Sequence, residues 1–546
     1  MNRFKIAFFS ILLLAIFVRL YQVTSFPPSL YWEEMALGYD AFSVLKTGKD
    51  HLGNPPPLVA FESYGDYKPA LYFYLLLPSI EVFGLNEFAV RFPALLAGIF
   101  IVVGVGVLTR LVMGKYEPKR ANVFQVVAMA VTALSPWAIQ FSRAAWESNV
   151  ATCFIVWGVV FCFLRKKWWY RFIGFFLFAL SMYTYHSARV IAPLLGLGMM
   201  VVWLYEGFQV KKNVIVGLFF CVLIFPLLLS FTSKTTQERF AETSLFADGH
   251  VSVESNACRD QAHHSLASNI FCHRYLYTAI EIVGSYFSHF TADFLFIHGD
   301  KNLRHSTQFT GELYFSEAIF LFLGVVFFIR SRRKEFCLLI FWLGVGIIPA
   351  ALTIPTPHAL RILPVMPVFM ILITCGIVYF YDLTLKLFQS KYLAQRLIFS
   401  AIIISYGIQF ASFWSFYSRV YPKLYSGAWQ YGYRQIVAEV QKRKTESEHV
   451  YFLREMDRPA MAYWFFTQTD PRIVQKIDKT LQKDQGVALP FENILFINFV
   501  GEARQGLVAS TVESLHELQK KGNTVSDITY IFDPAGKPIW AVYKHE

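Results

Sequence analysis

Charge is scarce in this sequence. Only 16% of its 546 residues are Asp, Glu, Lys or Arg, against 55% hydrophobic and 18% aromatic. That balance excludes a string of ordinary soluble domains. The motifs of nucleotide-driven and simple hydrolytic enzymes are missing as well: there is no Walker A loop, no dinucleotide-type GxGxxG, no HExxH and no GxSxG elbow. Internal repeats, low-complexity tracts and long linkers are absent. The first apolar run has no small-residue cleavage site behind it, since Arg19 and aromatic residues follow, so it reads as a retained helix and not a signal peptide. Cysteine is sparse, and five of the seven (Cys153, Cys162, Cys221, Cys337 and Cys375) fall in apolar runs, where a thiol packs as a small hydrophobe.

Long apolar runs take up much of what is there: Ile6–Val18, Phe88–Val112, Val123–Ile139, Val150–Leu164, Phe172–Tyr185, Val190–Leu204, Val214–Phe231, Leu313–Ile329, Phe336–Ile354, Ile362–Tyr379 and Leu397–Phe413. Several fall short of the roughly 20 residues that cross a bilayer and must borrow neighbours at their ends. The fold class is therefore an all-α polytopic membrane protein of about 11 transmembrane helices. The net charge of +12 raises the question of nucleic acid, which the placement of the basic residues answers. With a cytoplasmic N-terminus, alternation puts Lys115, Lys119 and Arg120; Arg165, Lys166, Lys167 and Arg171; Lys211 and Lys212; Arg330, Arg332, Arg333 and Lys334; and Lys386, Lys391 and Arg396 all inside. This is the positive-inside pattern of a multi-pass plasma (inner) membrane protein, with the lipid bilayer and not nucleic acid as its partner.

Three stretches then lie outside. Residues 24–87 form a first loop, polar and aromatic and broken by Pro55, Pro56, Pro57 and Pro69; within it Glu33 to Leu45 predicts a short helix, and Leu71 to Phe83 is apolar but too short to span alone. Residues 232–312 form a large loop with the remaining cysteines, Cys258 and Cys272. Closing that short ring is worth about 3 kcal/mol by loop entropy, and an extracytoplasmic compartment permits it, so a disulfide is favoured over a metal site with His263, His264 and His273. Residues 419–546 alternate strand-like pieces (VYFL, ILFINFV, ITYIFD, IWAVY) with helical patterns around Gln435–Lys444 and Thr511–Lys521, which predicts a small extracytoplasmic α/β domain after a membrane domain of residues 1–418.

Glu33, Glu34, Asp66, Lys68, Arg143, Glu147, His186, Arg189, His358 and Arg361 all fall in outer loops or at outer helix ends under this topology. Singly, each has a bland explanation: Lys68, Arg189 and Arg361 as snorkelling anchors, His358 as a cap, the acids as solvated loop charges. Together, cations beside carboxylates on the side where basic residues are normally scarce point to an anionic ligand whose charge they neutralise, with a carboxylate moving a proton. A lipid phosphate fits that description.

The stretches PPSLYWEEMALGYDAFSVLKTGKDHLG and DYKPALYFYLLLPSIEVFGLNEFAVRFPALLAG resemble the first outer loop and second helix of the GT-C glycosyltransferases. The subgroup is that of protein O-mannosyltransferases, bacterial aminoarabinose transferases (ArnT-like) and RgtA/B/C/D-like enzymes. SPWAIQFSRAAWESN, YTYHSARVIAPL, HFTADFLFIHGDKNLRH and TPHALRILPVMP resemble further family segments, so the likeness covers most of residues 1–420. The family's Asp-Glu pair reads Glu33-Glu34 here, one methylene longer at the catalytic acid. By the same matching Lys68 resembles the lysine that binds carrier phosphate, and His358 and Arg361 resemble basic residues near the donor site.

The resemblance implies transfer of a sugar from a polyprenyl-phosphate donor to a hydroxyl of an acceptor protein, lipid or glycan. Phosphate leaves without protonation, so such a site needs a base for the acceptor and cations for the phosphate. Glu33 is the expected base and Glu34 the lesser acid. No cofactor is required, and a divalent metal is permitted but not demanded. The competing reading, a transporter or flippase of a lipid-linked sugar, calls for ionisable residues at mid-membrane, where this sequence has few.

Overall fold

Each of the eleven apolar runs coincides with helical structure in the computed structural model. The structure describes residues 3–64, 66–164, 167–207, 210–230, 245, 249–331, 334–386, 391–445, 448–455, 457–482 and 488–546. Among these, five helices are long and apolar enough to cross a membrane, or six if the pair Ala121–Leu134 and Pro136–Ser142, bent by 61°, is one span. The apolar helices Glu147–Phe163, Tyr170–Thr184 and Phe336–Ala351 are shorter. The chain is thus a mostly helical, multi-pass membrane protein with a small sheet near its C-terminus.

The chain divides into two compact units. The first holds Met1–Arg19, Leu96–Ser142 and Trp146–Phe413. Close helix packing there depends on small residues: a Cβ on Gly324 would strike the backbone of Leu372, and one on Gly376 the backbone carbonyl of Phe320, so the helices Glu317–Ser331 and Met366–Leu385 meet backbone to backbone. In the same unit Cys258 and Cys272 are bonded, with Cα atoms 5.6 Å apart.

The second unit holds Leu20–Leu95, Arg143–Ala145 and Trp414–Glu546, so the first long loop and the C-terminal sheet belong to one body. The loop opens with a helix, Trp32–Thr47, that ends at Gly48, whose left-handed φ of 72° lets its N–H close on Val44. A hairpin follows, β1 (Ala60–Ser63) antiparallel to β2 (Asp66–Pro69). The sheet comprises β3 (Val450–Leu453), β4 (Leu489–Phe491), β5 (Ile494–Ile497), β6 (Gly506–Thr511), β7 (Val525–Phe532) and β8 (Pro538–His545), in the order β4-β5-β3-β6-β8-β7. β3 runs parallel to β5 and β6, and the remaining pairs are antiparallel. The four residues of β3 are all buried, as a central strand covered on both faces requires. Leu515 and Leu518 of the helix Val512–Lys520 pack on one side with Val508, Ala541 and Tyr543.

The strand-like pieces and helical patterns read from the tail are all present. β4, β6 and the helix Pro459–Thr467 were not legible there. GLVAST carries only two large aliphatic side chains, and its strand is made by pairing with β3 and β8 on either side.

Candidate functional site

Glu33 and Glu34 occupy the first turn of the helix Trp32–Thr47, the end at which the helix dipole is positive. Their surroundings divide their roles. Glu34 is wholly buried, held by Arg91 through two 3.1 Å contacts, Nε to Oε1 and Nη2 to Oε2. Its carboxylate also accepts the backbone N–H of Ala145 at 2.9 Å and that of Tyr31 at 3.4 Å. Arg91 in turn donates to the carbonyls of Val23 at 2.7 Å and Pro27 at 3.0 Å, and to that of Ser29. The pair therefore pins the chain entering the helix.

Glu33, one residue earlier, keeps 27% of its side chain exposed and faces Lys68 Nζ at 3.1 Å. It also accepts the Tyr31 hydroxyl at 2.9 Å. Lys68 comes from β2 and is nearly buried; its ammonium lies 5.4 Å from the centre of the Trp32 ring. The C-terminal part of the same unit completes these walls. Arg458 stacks over Trp32 at 5.2 Å and Tyr64 at 4.2 Å, and Gln430 accepts the Trp32 N–H at 2.6 Å. A partly exposed carboxylate, a buried ammonium and a second cation thus share one aromatic edge, with the charge balance and access that anion binding and proton transfer both need.

Other residues singled out in the sequence stand elsewhere. Asp66 lies in β2, and its side chain is outside the described residues. Arg143 is buried and donates to the carbonyls of Tyr21 and Phe26, each at 2.8 Å, with its guanidinium 4.4 Å over the Phe26 ring. That makes it a brace for the loop entrance.

In the first unit, Glu147 begins the helix Glu147–Phe163, and its neighbour Ser148 donates to Leu360 O at 2.7 Å. This ties the helix end to the turn bearing His358 and Arg361. Arg361 donates to Thr353 Oγ1 and Ile354 O, both at 2.9 Å. His186 sits in the turn before the helix Ala188–Tyr205, and Arg189 donates to Met182 O at 3.3 Å.

His358 faces two residues that sequence reasoning passed over, Asp300 and His305. Asp300 Oδ2 accepts the Ala359 N–H at 2.8 Å and lies 2.9 Å from His305 Nδ1 and 3.7 Å from His358 Nδ1. Burial alone would raise the Asp300 carboxyl, but the His305 contact and the two imidazoles hold it down at about 2. Burial, reinforced by His305 and Arg361, pushes His358 well below the usual histidine range. Nearby Glu312 is pushed well up by burial and by Asp300. Arg91 was also passed over, although a charge near the start of the apolar run Phe88–Val112 was a signal that could have found it. Asp300 and His305 carried only their place in the segment HGDKNLRH.

No protein-family model matches the sequence, and no curated protein matches it significantly. Among solved structures, the chain is similar to ArnT from Cupriavidus metallidurans bound to undecaprenyl phosphate, with a TM-score of 0.54 at 11% identity over 98% of this chain and 97% of that one. The apo form of that protein gives a TM-score of 0.52 at the same identity and coverage. The apo oligosaccharyltransferase of Archaeoglobus fulgidus gives 0.52 at 10% identity, over 94% of this chain and 70% of that one. At these identities the likeness is one of fold. It bears out the GT-C fold expected from the sequence.

Proposed function

We propose that this chain is a membrane glycosyltransferase that moves a hexosyl or pentosyl group from a polyprenyl-phosphate donor to an acceptor hydroxyl on the extracytoplasmic face of the plasma membrane. The observation that carries the reading is the pairing of partly exposed Glu33 with nearly buried Lys68, in a chain whose fold is shared with a transferase bound to undecaprenyl phosphate.

Glu33 is the base. Its carboxylate takes the acceptor's proton as the hydroxyl oxygen bonds to the sugar's anomeric carbon. The bond from that carbon to the phosphate oxygen breaks, and polyprenyl phosphate leaves with the electron pair. Lys68 stabilises the charge that grows on the phosphate. Before the donor arrives, Lys68 neutralises Glu33; a phosphate competing for the ammonium frees the carboxylate to act, so donor binding and base activation are coupled. Arg458 adjoins the same ring as Lys68 and adds positive potential. Glu34 and Arg143 position this machinery. In the first unit, Glu147, His186, Arg189, His358 and Arg361 are proposed as substrate-side groups, each to be tested singly.

Residues 1–418 are assigned the transfer and 419–546 an extracytoplasmic α/β domain that influences acceptor choice. A cavity of about 540 Å³ lined by Glu87, Arg434, Gln441, Phe465, Phe466 and Gln468 offers an acceptor both aromatic surface and polar groups. A flippase is the weaker reading, because the Glu33–Lys68 pair sits on a helix start and a hairpin of the first long loop and not along an apolar span.

The test uses purified full-length protein with a polyprenyl-phosphate sugar, following release of polyprenyl phosphate. Glu33→Gln is expected to abolish release with the protein folded. Lys68→Ala is expected to weaken donor use by about 1.5–3 kcal/mol, the worth of a charged hydrogen bond. Near-normal turnover in Glu33→Gln would move the base to another acid.

A further inference from the structure

We infer that Asp300, His305 and His358 form a site for one divalent transition metal in the first unit. The three are each at most 8% exposed. One ligand atom from each lies within 4.8 Å of the others, and the two imidazole rings have centroids 4.9 Å apart. Tetrahedral bonds of about 2.0–2.2 Å separate neighbouring ligand atoms by roughly 3.3–3.6 Å. The separations of Asp300 Oδ2 from the two Nδ1 atoms, 2.9 and 3.7 Å, bracket that range.

His358 supplies the decisive observation. Its Nδ1 is buried and has no hydrogen-bond partner among the described residues, although it points toward a carboxylate 3.7 Å away. A shared proton satisfies the closer Asp300–His305 contact but cannot reach His358 as well. A cation among the three satisfies all of them.

The surroundings are those of a metal centre. Asp300 is oriented by the Ala359 N–H on Oδ2 and by the Asn302 N–H on Oδ1, at 2.8 and 2.9 Å. Its own N–H meets Glu312 at 3.1 Å, and the His358 N–H meets His289 Nε2 at 3.1 Å. Trp146 closes on the His305 ring at 5.1 Å, giving the hydrophobic cover that keeps competing water away. Two imidazoles and one carboxylate select a zinc-class ion over magnesium or calcium, and three protein ligands leave a fourth position open to an oxygen ligand. The ion would cross-link the loop at 300–312 to the turn at 353–361. This site stands whether or not the transfer reading does.

The experiment uses full-length protein without a histidine tag, stripped with a chelator and titrated with cobalt(II). One cobalt per chain, visible d–d absorption and a metal-dependent rise in the thermal midpoint are expected. Asp300→Asn and His358→Gln should each weaken binding by more than the roughly 10- to 100-fold that loss of an outer partner costs, and should lose the metal-dependent rise. A control variant, His263→Ala with His264→Ala, should bind like the wild type. The inference is overturned if the wild type binds no stoichiometric cobalt, or if folded His358→Gln binds it unchanged. A thermal midpoint that falls equally in the ligand variants with and without metal, the wild type showing no metal response, would make the cluster a hydrogen-bonded staple only.

Discussion

Adjacent glutamates in one helical turn have opposite duties here, and their environments set the difference. Glu34 faces a buried guanidinium, so Glu34→Ala strands Arg91 as an uncompensated charge; removing one partner of a buried pair costs about 3–5 kcal/mol. The expectation is a protein that is hard to recover folded, visible as a large fall in thermal midpoint, whereas Glu33→Gln should unfold like the wild type. The sequence-level expectation that Glu34 is merely the lesser acid is thus revised: its loss should act through folding. A second residue-scale effect concerns pH. Burial, with Asp40 nearby, raises the Asp50 carboxyl to about 6. A folded value above the unfolded one means the folded state holds the proton more tightly, so this contribution is full below about pH 4 and is lost as pH rises through about 6. His51, 2.5 Å from Asp40, acts in the same direction: burial opposes its charge, Asp40 outweighs burial, and the net shift is upward, so its contribution fades above the ordinary histidine value. Thermal midpoints between pH 4 and 7 should fall with pH in the wild type and fall less in Asp50→Asn.

At the scale of elements, the membrane part depends on close approach between helices. Gly324 and Gly376 leave no room for a side chain without moving backbone, whereas a methyl group added at Gly407 would meet, beyond its own stretch of helix, no atom of the described residues within 4 Å. Gly376→Leu is expected to destabilise by at least the roughly 1–3 kcal/mol of an overpacked core, read as loss of monodisperse protein on size-exclusion chromatography. Gly407→Ala should have little effect. These glycines look alike in the sequence; only the helix each one faces tells them apart.

For the whole molecule, the important finding is that the first long loop and the chain's end are one unit. Gln430 holds the Trp32 N–H, Tyr39 donates to Thr469 O at 2.8 Å, and Gln475 donates to Thr47 Oγ1 and Asp50 O, both at 2.9 Å. Truncation before Arg419 is therefore expected to abolish donor cleavage along with acceptor transfer, because it removes the surface on which the Glu33 helix is built. Retained cleavage with lost acceptor transfer would instead make the tail a recognition module alone.

The amino-acid order alone was enough to locate the eleven apolar helical runs, the helix at Glu33, four of the six strands of the tail and the GT-C resemblance, because hydrophobic periodicity and local motif are properties of neighbouring residues. It also isolated Glu33 and Lys68, since charges are conspicuous in so apolar a chain. Folding in three dimensions was needed to show that Glu34 is committed to Arg91, that Arg143 braces carbonyls, that Arg458 and Gln430 reach Trp32 from some 400 residues downstream, and that Asp300, His305 and His358 converge. Those are long-range pairings. A charge's role depends on which partner burial brings to it, and that partner is chosen by packing, not by spacing along the chain.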